Sequence, residues 1–198
     1  MRADHCAEWP QPLGRVPACS WLLNRYTLGI RDKHNSQTEA LQMIIYVGDG
    51  SDMIGRIKSN HCSGNVEGSA LRQCVAKAKG FQLSCEKRPS GAVKIRIASP
   101  DPRRDENIVS VYIRAGSWRL VSCDSYDEAH DFQWFVIEHL NPLCNVTRKA
   151  WDQGKAVRYQ QLLGHLTTSS LMSYADVRVS RLKLPGVYVL EHPNRPDA

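Results

Sequence analysis

The stretch Ile44–His61, IIYVGDGSDMIGRIKSNH, decides the predicted fold. It opens with apolar, partly β-branched residues that end in Tyr46-Val47-Gly48, the pattern of a buried strand. The next residues, Asp49-Gly50-Ser51, are typical of a tight turn. A short basic helix would then carry Arg56, with His61 just beyond it. This order of elements can bring a phenol, a guanidinium and an imidazole together around a phosphate group.

The composition indicates one full domain with an appendage. The chain has 198 residues, of which 42% are hydrophobic and 23% charged, values close to those of globular proteins. Its longest apolar runs are about five residues, far short of the roughly 20 that span a bilayer. The N-terminus has no signal-peptide or transit-peptide character. We therefore expect no membrane association and a cytoplasmic location.

The seven cysteines are widely spaced, and none forms a Cys-x-x-Cys pair. A disulfide framework or a zinc site would normally show closer pairing. We therefore expect reduced and mostly buried thiols, as is usual in a cytosolic protein.

Positive charge is concentrated in one part of the chain. The formal net charge is +6, and residues 54–96 alone contain nine Lys and Arg but two acidic residues, an excess of +7. Such a segment favours a polyanionic partner, and counterion release would make binding depend on salt. An ordinary solvated face is the alternative interpretation. The residues that we expect to contact nucleic acid are Lys58, Arg72, Lys77 and Lys79.

The pattern of the whole chain predicts an α/β protein of the α+β arrangement, with a small, mainly antiparallel sheet flanked by helices. Strands are predicted at 19–30, 42–47, 81–86, 92–97, 118–123 and 186–190, and the first two would form a hairpin. Helices are predicted after the caps Ser69 and Ser125 and over residues 108–115, 147–166 and 173–182. Residues 99–106, charged and containing two prolines, are predicted as a loop.

Two separated motifs resemble the signature of the GIY-YIG nuclease superfamily. The first is Tyr46-Val47-Gly48, with Arg56 ten residues after the tyrosine and His61 five residues further on, where four is the usual gap. The second is the segment 132–145, FQWFVIEHLNPLCN, which resembles the family's closing helix and its Asn-Pro-x-x-Asn end. The segment Gly68–Arg72, GSALR, also resembles a Ser-x-Leu-Arg helix start of some members.

The resemblance implies an endonuclease that cuts DNA phosphodiesters with a single Mg²⁺ or Mn²⁺ ion. Tyr46 would position the nucleophile, and Arg56 would bind the scissile phosphate through its planar guanidinium. His61 would share proton transfer, and Asn145 would brace the site.

The position that the resemblance gives to the metal-binding glutamate holds a different residue. Counting back from Pro142 and Asn145 leads to Gln133, whose neutral amide is a poorer magnesium ligand than a carboxylate. Asp131 and Glu138 are close in sequence, but offsets of two and five residues turn them away from the helix face of residue 133. Either would supply the carboxylate only if the helix is rotated or the alignment shifts.

The tyrosine of the family's first strand is also displaced. Residues 17–22, PACSWL, stand where Pro-Gly-(Ile/Val)-Tyr is expected, which leaves Ser20 or, further along, Tyr26. Residues 184–190, LPGVYVL, match that missing half instead. Three explanations are open: the segment begins a second, truncated GIY-YIG unit, it supplies the missing strand by permutation or by exchange between two chains, or it is an unrelated strand.

These observations predict a leader over residues 1–18, a GIY-YIG-like domain over 19–148 and a helical extension with a strand over 149–198. The leading function is a metal-dependent DNA endonuclease. The alternative is an impaired homologue that binds nucleic acid without cleaving it, and a third is assembly with another nuclease domain. The expected partner is DNA, and a homodimer or a second nuclease unit is left open.

Overall fold

The computed structural model of the chain describes residues 43–197, which form an α+β fold. The strands are β1 (Met43–Gly50), β2 (Leu83–Lys87), β3 (Val93–Ile97), β4 (Ser117–Ser122) and β5 (Gly186–His192). The helices are α1 (Met53–Arg56), α2 (Ala70–Ala78), α3 (Pro102–Ala115), α4 (Tyr126–Leu140), α5 (Ala156–Thr168) and α6 (Tyr174–Val179). The predicted leader, the predicted strand at 19–30 and Tyr26 lie outside the described residues.

The C-terminal strand β5 is the centre of an antiparallel three-stranded sheet with the order β1-β5-β4. Gly48 of β1 lies opposite Tyr188 of β5, and Trp118 of β4 lies opposite Leu190. Residues on both sides of the predicted boundary at 148 therefore share one sheet. The segment 184–190, for which three explanations were open, thus lies in the central strand of this sheet.

Each face of the three-stranded sheet is covered by its own apolar cluster. Val187 and Val189 of β5 point into a cluster with α4 and α5 that includes Phe132 and Tyr159. Their neighbours in β5 point the other way, into a cluster with α1, α2 and α3. This alternation follows from the period of two residues along a strand. A separate antiparallel hairpin, β2 with β3, is closed by a turn at 88–91.

Two helices begin far from their predicted starts, and α6 ends at Val179 rather than at residue 182. Helix α3 begins at Pro102 rather than at residue 108, because Asp101 caps it by accepting from the Arg104 amide at 3.1 Å. Proline is compatible with the first helical turn, where its missing N–H costs nothing. Helix α5 begins at Ala156 rather than at residue 147. Within residues 43–197, no helix combines the length and the apolar composition that a bilayer crossing requires.

The prediction that all thiols are reduced is wrong for one pair. Cys74 of α2 and Cys144, which follows α4, form a disulfide across a sequence separation of 70 residues. The sequence analysis missed this pair because cysteines that are far apart in the chain leave no local pattern. The disulfide connects α2 to the segment that runs beside β1.

Candidate active site

Four side chains from separate parts of the chain converge beside the sheet: Tyr46 of β1, Arg56 of α1, His61 beyond α1 and Tyr188 of β5. The ring centroids of Tyr46 and His61 are 5.4 Å apart, and those of His61 and Tyr188 are 5.6 Å apart. The Arg56 guanidinium adjoins the Tyr188 phenol, which helps to raise the pKa of Arg56 against the effect of burial. The structure thus brings together the phenol, the guanidinium and the imidazole of the first motif and adds a second phenol.

Tyr46 reaches this group because β1 contains a bulge. The pairing with β5 shifts register between Ile44 and Tyr46, and bulges commonly re-aim side chains beside functional sites. Ile45 and Tyr46 consequently pack in the same apolar cluster, whereas neighbours in a regular strand point to opposite faces. Burial raises the pKa of Tyr46 although Arg56 acts in the opposite direction, so the phenol stays protonated at neutral pH.

A π-helical turn sets the direction of His61 relative to Arg56. In an α-helix residues four apart are neighbours, so a gap of five would turn the two side chains to different faces. Residues Ile57–Cys62 form a π-helical turn, in which backbone hydrogen bonds join residues five apart. The wider turn therefore lets both Arg56 and His61 contact Tyr188.

His61 is the centre of a buried hydrogen-bond chain. Its side chain is 1% exposed, with Nδ1 at 2.6 Å from Ser69 Oγ and Nε2 at 2.7 Å from the Tyr188 hydroxyl. Burial, together with the charges of Arg56 and Arg72, lowers the pKa of His61 from 6.5 to about 3. The imidazole is therefore neutral at physiological pH, with one nitrogen donating and the other accepting.

The segment Gly68–Arg72 supports His61. Ser69 caps α2 by accepting from the Arg72 amide. The Arg72 guanidinium is 0% exposed and donates to the His61 carbonyl at 2.8 Å and to Glu106 at 2.6 Å. The prediction that Arg72 contacts nucleic acid is therefore wrong, because a buried ion pair holds its guanidinium inside the fold.

The other predicted basic contacts lie on the surface or at its edge. Lys58 donates to the Ser180 carbonyl at 2.6 Å, and the Lys79 ammonium lies 5.4 Å from the centroid of the Tyr112 ring. Lys77 is exposed on α2. Their role in nucleic-acid binding stays a prediction.

Asn145 fixes the strand that carries Tyr46. Its Oδ1 accepts from the Val47 amide at 2.8 Å, and its Nδ2 donates to the Val47 carbonyl at 2.9 Å. The Cys144 amide donates to the Ile45 carbonyl in the same way, at 2.8 Å. The segment after α4 therefore runs along the edge of β1, and the disulfide at Cys144 holds this segment to α2.

A cavity of about 440 Å³ opens beside the Arg56 side chain. The polar side chains that line it are Ser51, Asp52, Arg56, Ser59, Asn60 and Tyr126. Tyr188 and Tyr46, and Asp49 with them, raise the pKa of Arg56, and burial works against this rise. The cavity therefore contains a permanent positive charge close to two phenols.

The sequence analysis did not select Tyr126, which lines this cavity, or the contacting pair of Asp49 and His130. Asp49 is 5% exposed, and its Oδ2 lies 2.9 Å from Nδ1 of His130. The charge of Asp49 and, second, burial raise the pKa of the nearby Tyr126 phenol. One feature of the sequence could have indicated Asp49: it follows Tyr46-Val47-Gly48 directly. The sequence analysis assigned Asp49 to a turn instead.

The three candidate metal ligands on α4 are divided between two sides of the helix. Gln133 is 7% exposed and lies three residues after His130, on the side that faces β1. Asp131 accepts a hydrogen bond from the Tyr159 hydroxyl at 2.6 Å, and Glu138 accepts from Trp151 Nε1 at 2.8 Å. These bonds turn both carboxylates toward α5 and the segment before it, away from Asp49.

The donor set of the described residues does not fit a divalent ion. Within residues 43–197 no group of three or more His, Cys, Asp or Glu side chains is arranged to hold a metal. At the position predicted for the metal ligand, α4 carries the neutral amide of Gln133, and Asp49 Oδ2 lies 2.9 Å from Nδ1 of His130. Magnesium prefers carboxylates that it can bind directly.

No model of a protein family matches the chain, and comparison with curated proteins and with solved structures finds no match.

Proposed function

We propose that this protein binds the phosphodiester backbone of nucleic acid at a site of the GIY-YIG type. The observation that carries the proposal is the convergence of four side chains from distant parts of the chain: Tyr46, Arg56, His61 and Tyr188. Asn145, at the end of the second motif, braces the same strand. Both motifs of the resemblance therefore meet at one place.

The state of the Arg56 guanidinium supports an anionic ligand. Its Nε is buried without an acceptor among the described residues, and buried polar atoms without a partner are rare. A phosphate oxygen is a strong acceptor for such a donor, and arginine recognises phosphate through its planar fork. The adjoining cavity of about 440 Å³ provides room for a nucleotide unit.

Titration of a labelled DNA duplex, followed by fluorescence anisotropy at several salt concentrations, tests this proposal. The parent is expected to bind with an affinity that falls as salt rises. Arg56→Ala removes a charge-assisted contact and should weaken binding about tenfold or more. Arg103→Ala is the matched control, because Arg103 is an exposed arginine of α3 and its loss changes the net charge equally. Equal binding by the parent and Arg56→Ala would refute the assignment of Arg56.

The metal-dependent DNA endonuclease is the second candidate function. It is favoured by the hydrogen bond between Tyr188 and the neutral His61, which provides a route for a proton at a phenol. Gln133 counts against it. Plasmid cleavage with Mn²⁺ separates the two candidates when the parent is compared with Gln133→Glu. Cleavage by the parent would support the endonuclease, whereas cleavage gained only in Gln133→Glu would support binding without metal-dependent hydrolysis.

A further inference from the structure

Asp49 and His130 form an oriented carboxylate–imidazole pair at the edge of the cavity. The carboxylate is buried and belongs to the end of β1, whereas the His130 side chain is 49% exposed. The bond of 2.9 Å joins Asp49 Oδ2 to His130 Nδ1. Tyr126, which lines the cavity together with Arg56, lies near the same carboxylate, whose charge raises the pKa of the phenol. The pair therefore joins β1 to α4 next to Tyr126, a residue of the cavity wall whose ring centroid lies 6.0 Å from that of His130.

This arrangement fixes which imidazole nitrogen is available. A carboxylate that accepts from Nδ1–H leaves Nε2 as the acceptor nitrogen, the form that takes a proton from a hydroxyl. Asp49 is also close enough to Arg56 to raise the pKa of its guanidinium. His130 is thus one neighbour away from the wall of the cavity that Arg56 lines, since it contacts both Asp49 and Tyr126.

We propose that His130, positioned by Asp49, is the general base of a metal-independent cleavage of RNA at this site, an inference that rests on the proposed binding of a phosphodiester at Arg56. Nε2 of His130 takes the proton of the 2′-hydroxyl, the O2′–P bond forms and the P–O5′ bond breaks. The O5′ atom takes a proton from solvent, and the imidazolium later releases its proton to solvent. The products are a 2′,3′-cyclic phosphate and a 5′-hydroxyl, and Arg56 stabilises the charge on the phosphoryl oxygens.

RNA is the substrate class because it carries its own nucleophile. The 2′-hydroxyl stands next to the phosphorus atom, so no water molecule has to be bound and oriented, and such intramolecular reactions have a large entropic advantage. The site supplies a base, an orienting carboxylate and a cation, which this reaction uses. The amide of Gln133 supplies no charge for a metal.

Incubation of the full chain with a single-stranded RNA oligonucleotide in the presence of EDTA tests the inference. We expect cleavage with a 2′,3′-cyclic phosphate end and none at a position with a single 2′-deoxy substitution. His130→Gln should lower the rate about 100-fold or more, and free imidazole should partly restore the rate of His130→Ala. Asp49→Asn should lower the rate as well, and Asp49→Glu should retain part of it. His165→Gln, which replaces an exposed histidine of α5, is the matched control.

Binding of an all-DNA oligonucleotide of the same sequence, which lacks the nucleophile, is measured in parallel. If the parent binds this DNA but does not cleave the RNA, the inference is overturned and the proposed function stands. If the parent binds neither oligonucleotide, both the proposed function and the inference are overturned. Cleavage that His130→Gln retains, or equal cleavage at the 2′-deoxy position, would also overturn the inference.

Discussion

The hydroxyl of Tyr188 lies 2.7 Å from Nε2 of His61, although 127 residues separate the two in the chain. The contact exists because β5 lies beside β1, with Tyr188 opposite Gly48. An ideal Cβ on residue 48 would lie 2.6 Å from the ring and the hydroxyl oxygen of Tyr188. The glycine of Tyr46-Val47-Gly48 therefore provides the space that the second phenol occupies.

Gly48→Ala should destabilise the fold and disturb the site, because the added methyl group overlaps the Tyr188 ring. Overpacking of a buried position costs about 1–3 kcal/mol, and urea unfolding measures this cost. Gly164→Ala is the control, since nothing lies within 4 Å of its Cβ position in α5, and it should raise stability by up to about 1 kcal/mol. In a Tyr188→Leu background the cost of Gly48→Ala should shrink, and an unchanged cost would contradict the assigned overlap.

The π-helical turn predicts how the chain tolerates a change of length between Arg56 and His61. Deletion of the exposed Ser59 leaves a gap of four residues, which an ordinary α-helix places on one face. The deletion variant should therefore stay folded and keep the affinity of the parent for DNA within about threefold, less than 1 kcal/mol.

Insertion of one alanine after Ser59 changes the length by one residue in the other direction and is the comparison for the deletion. A gap of six residues fits neither helix type, so His61 would lose its bonds to Ser69 and Tyr188. Urea unfolding and DNA titration of both variants provide the comparison. If deletion and insertion are equally damaging, helical phase does not explain the gap of five.

Sequence analysis predicted the features of the site that depend on neighbours in the chain. The caps Ser69 and Ser125 accept the helix amides as predicted, because capping requires only a side chain and the next turn. Tyr46, Arg56 and His61 come together because strand, turn and helix are consecutive. The coarse α+β class followed from the same local patterns.

The features that the sequence analysis missed depend on residues far apart in the chain. Arg72 is buried because it pairs with Glu106, 34 residues away. The sequence analysis counted charges along one segment and therefore expected Arg72 at the surface. The pair of Asp49 and His130 spans 81 residues and forms only because α4 packs against β1. The position of β5 between β1 and β4 was not predicted, since Gly-Val-Tyr-Val has the composition of many strands and indicates no partner.

Protonation of His61 should make stability depend on pH in a defined direction. The pKa of His61 is about 3 in the folded protein and 6.5 ordinarily, so below about pH 6.5 the unfolded chain binds a proton that the folded protein rejects. The free energy of unfolding should therefore fall as pH falls through this range, by up to about 1.4 kcal/mol per pH unit from this group.

Urea unfolding at pH 7, 6 and 5 measures this dependence. The His61→Gln side chain does not titrate. This variant should be less stable than the parent at pH 7, but its free energy of unfolding should fall less than that of the parent between pH 7 and pH 5. His165→Gln should follow the parent, because that side chain is exposed on α5. Parallel curves for the parent and His61→Gln would show that the buried imidazole is not the source of the pH dependence.

The disulfide between Cys74 and Cys144 should stabilise the fold substantially. It closes a loop with a separation of 70 residues, for which the chain-entropy relation gives about 4 kcal/mol. The double variant Cys74→Ser with Cys144→Ser should lose this amount in urea unfolding. A reducing agent should lower the stability of the parent to nearly the same value and leave the double variant unchanged. Equal stability of the parent with and without the reducing agent would contradict the bond. Asn145 holds Val47 through its own two hydrogen bonds, so the reduced protein should still bind DNA in the absence of urea.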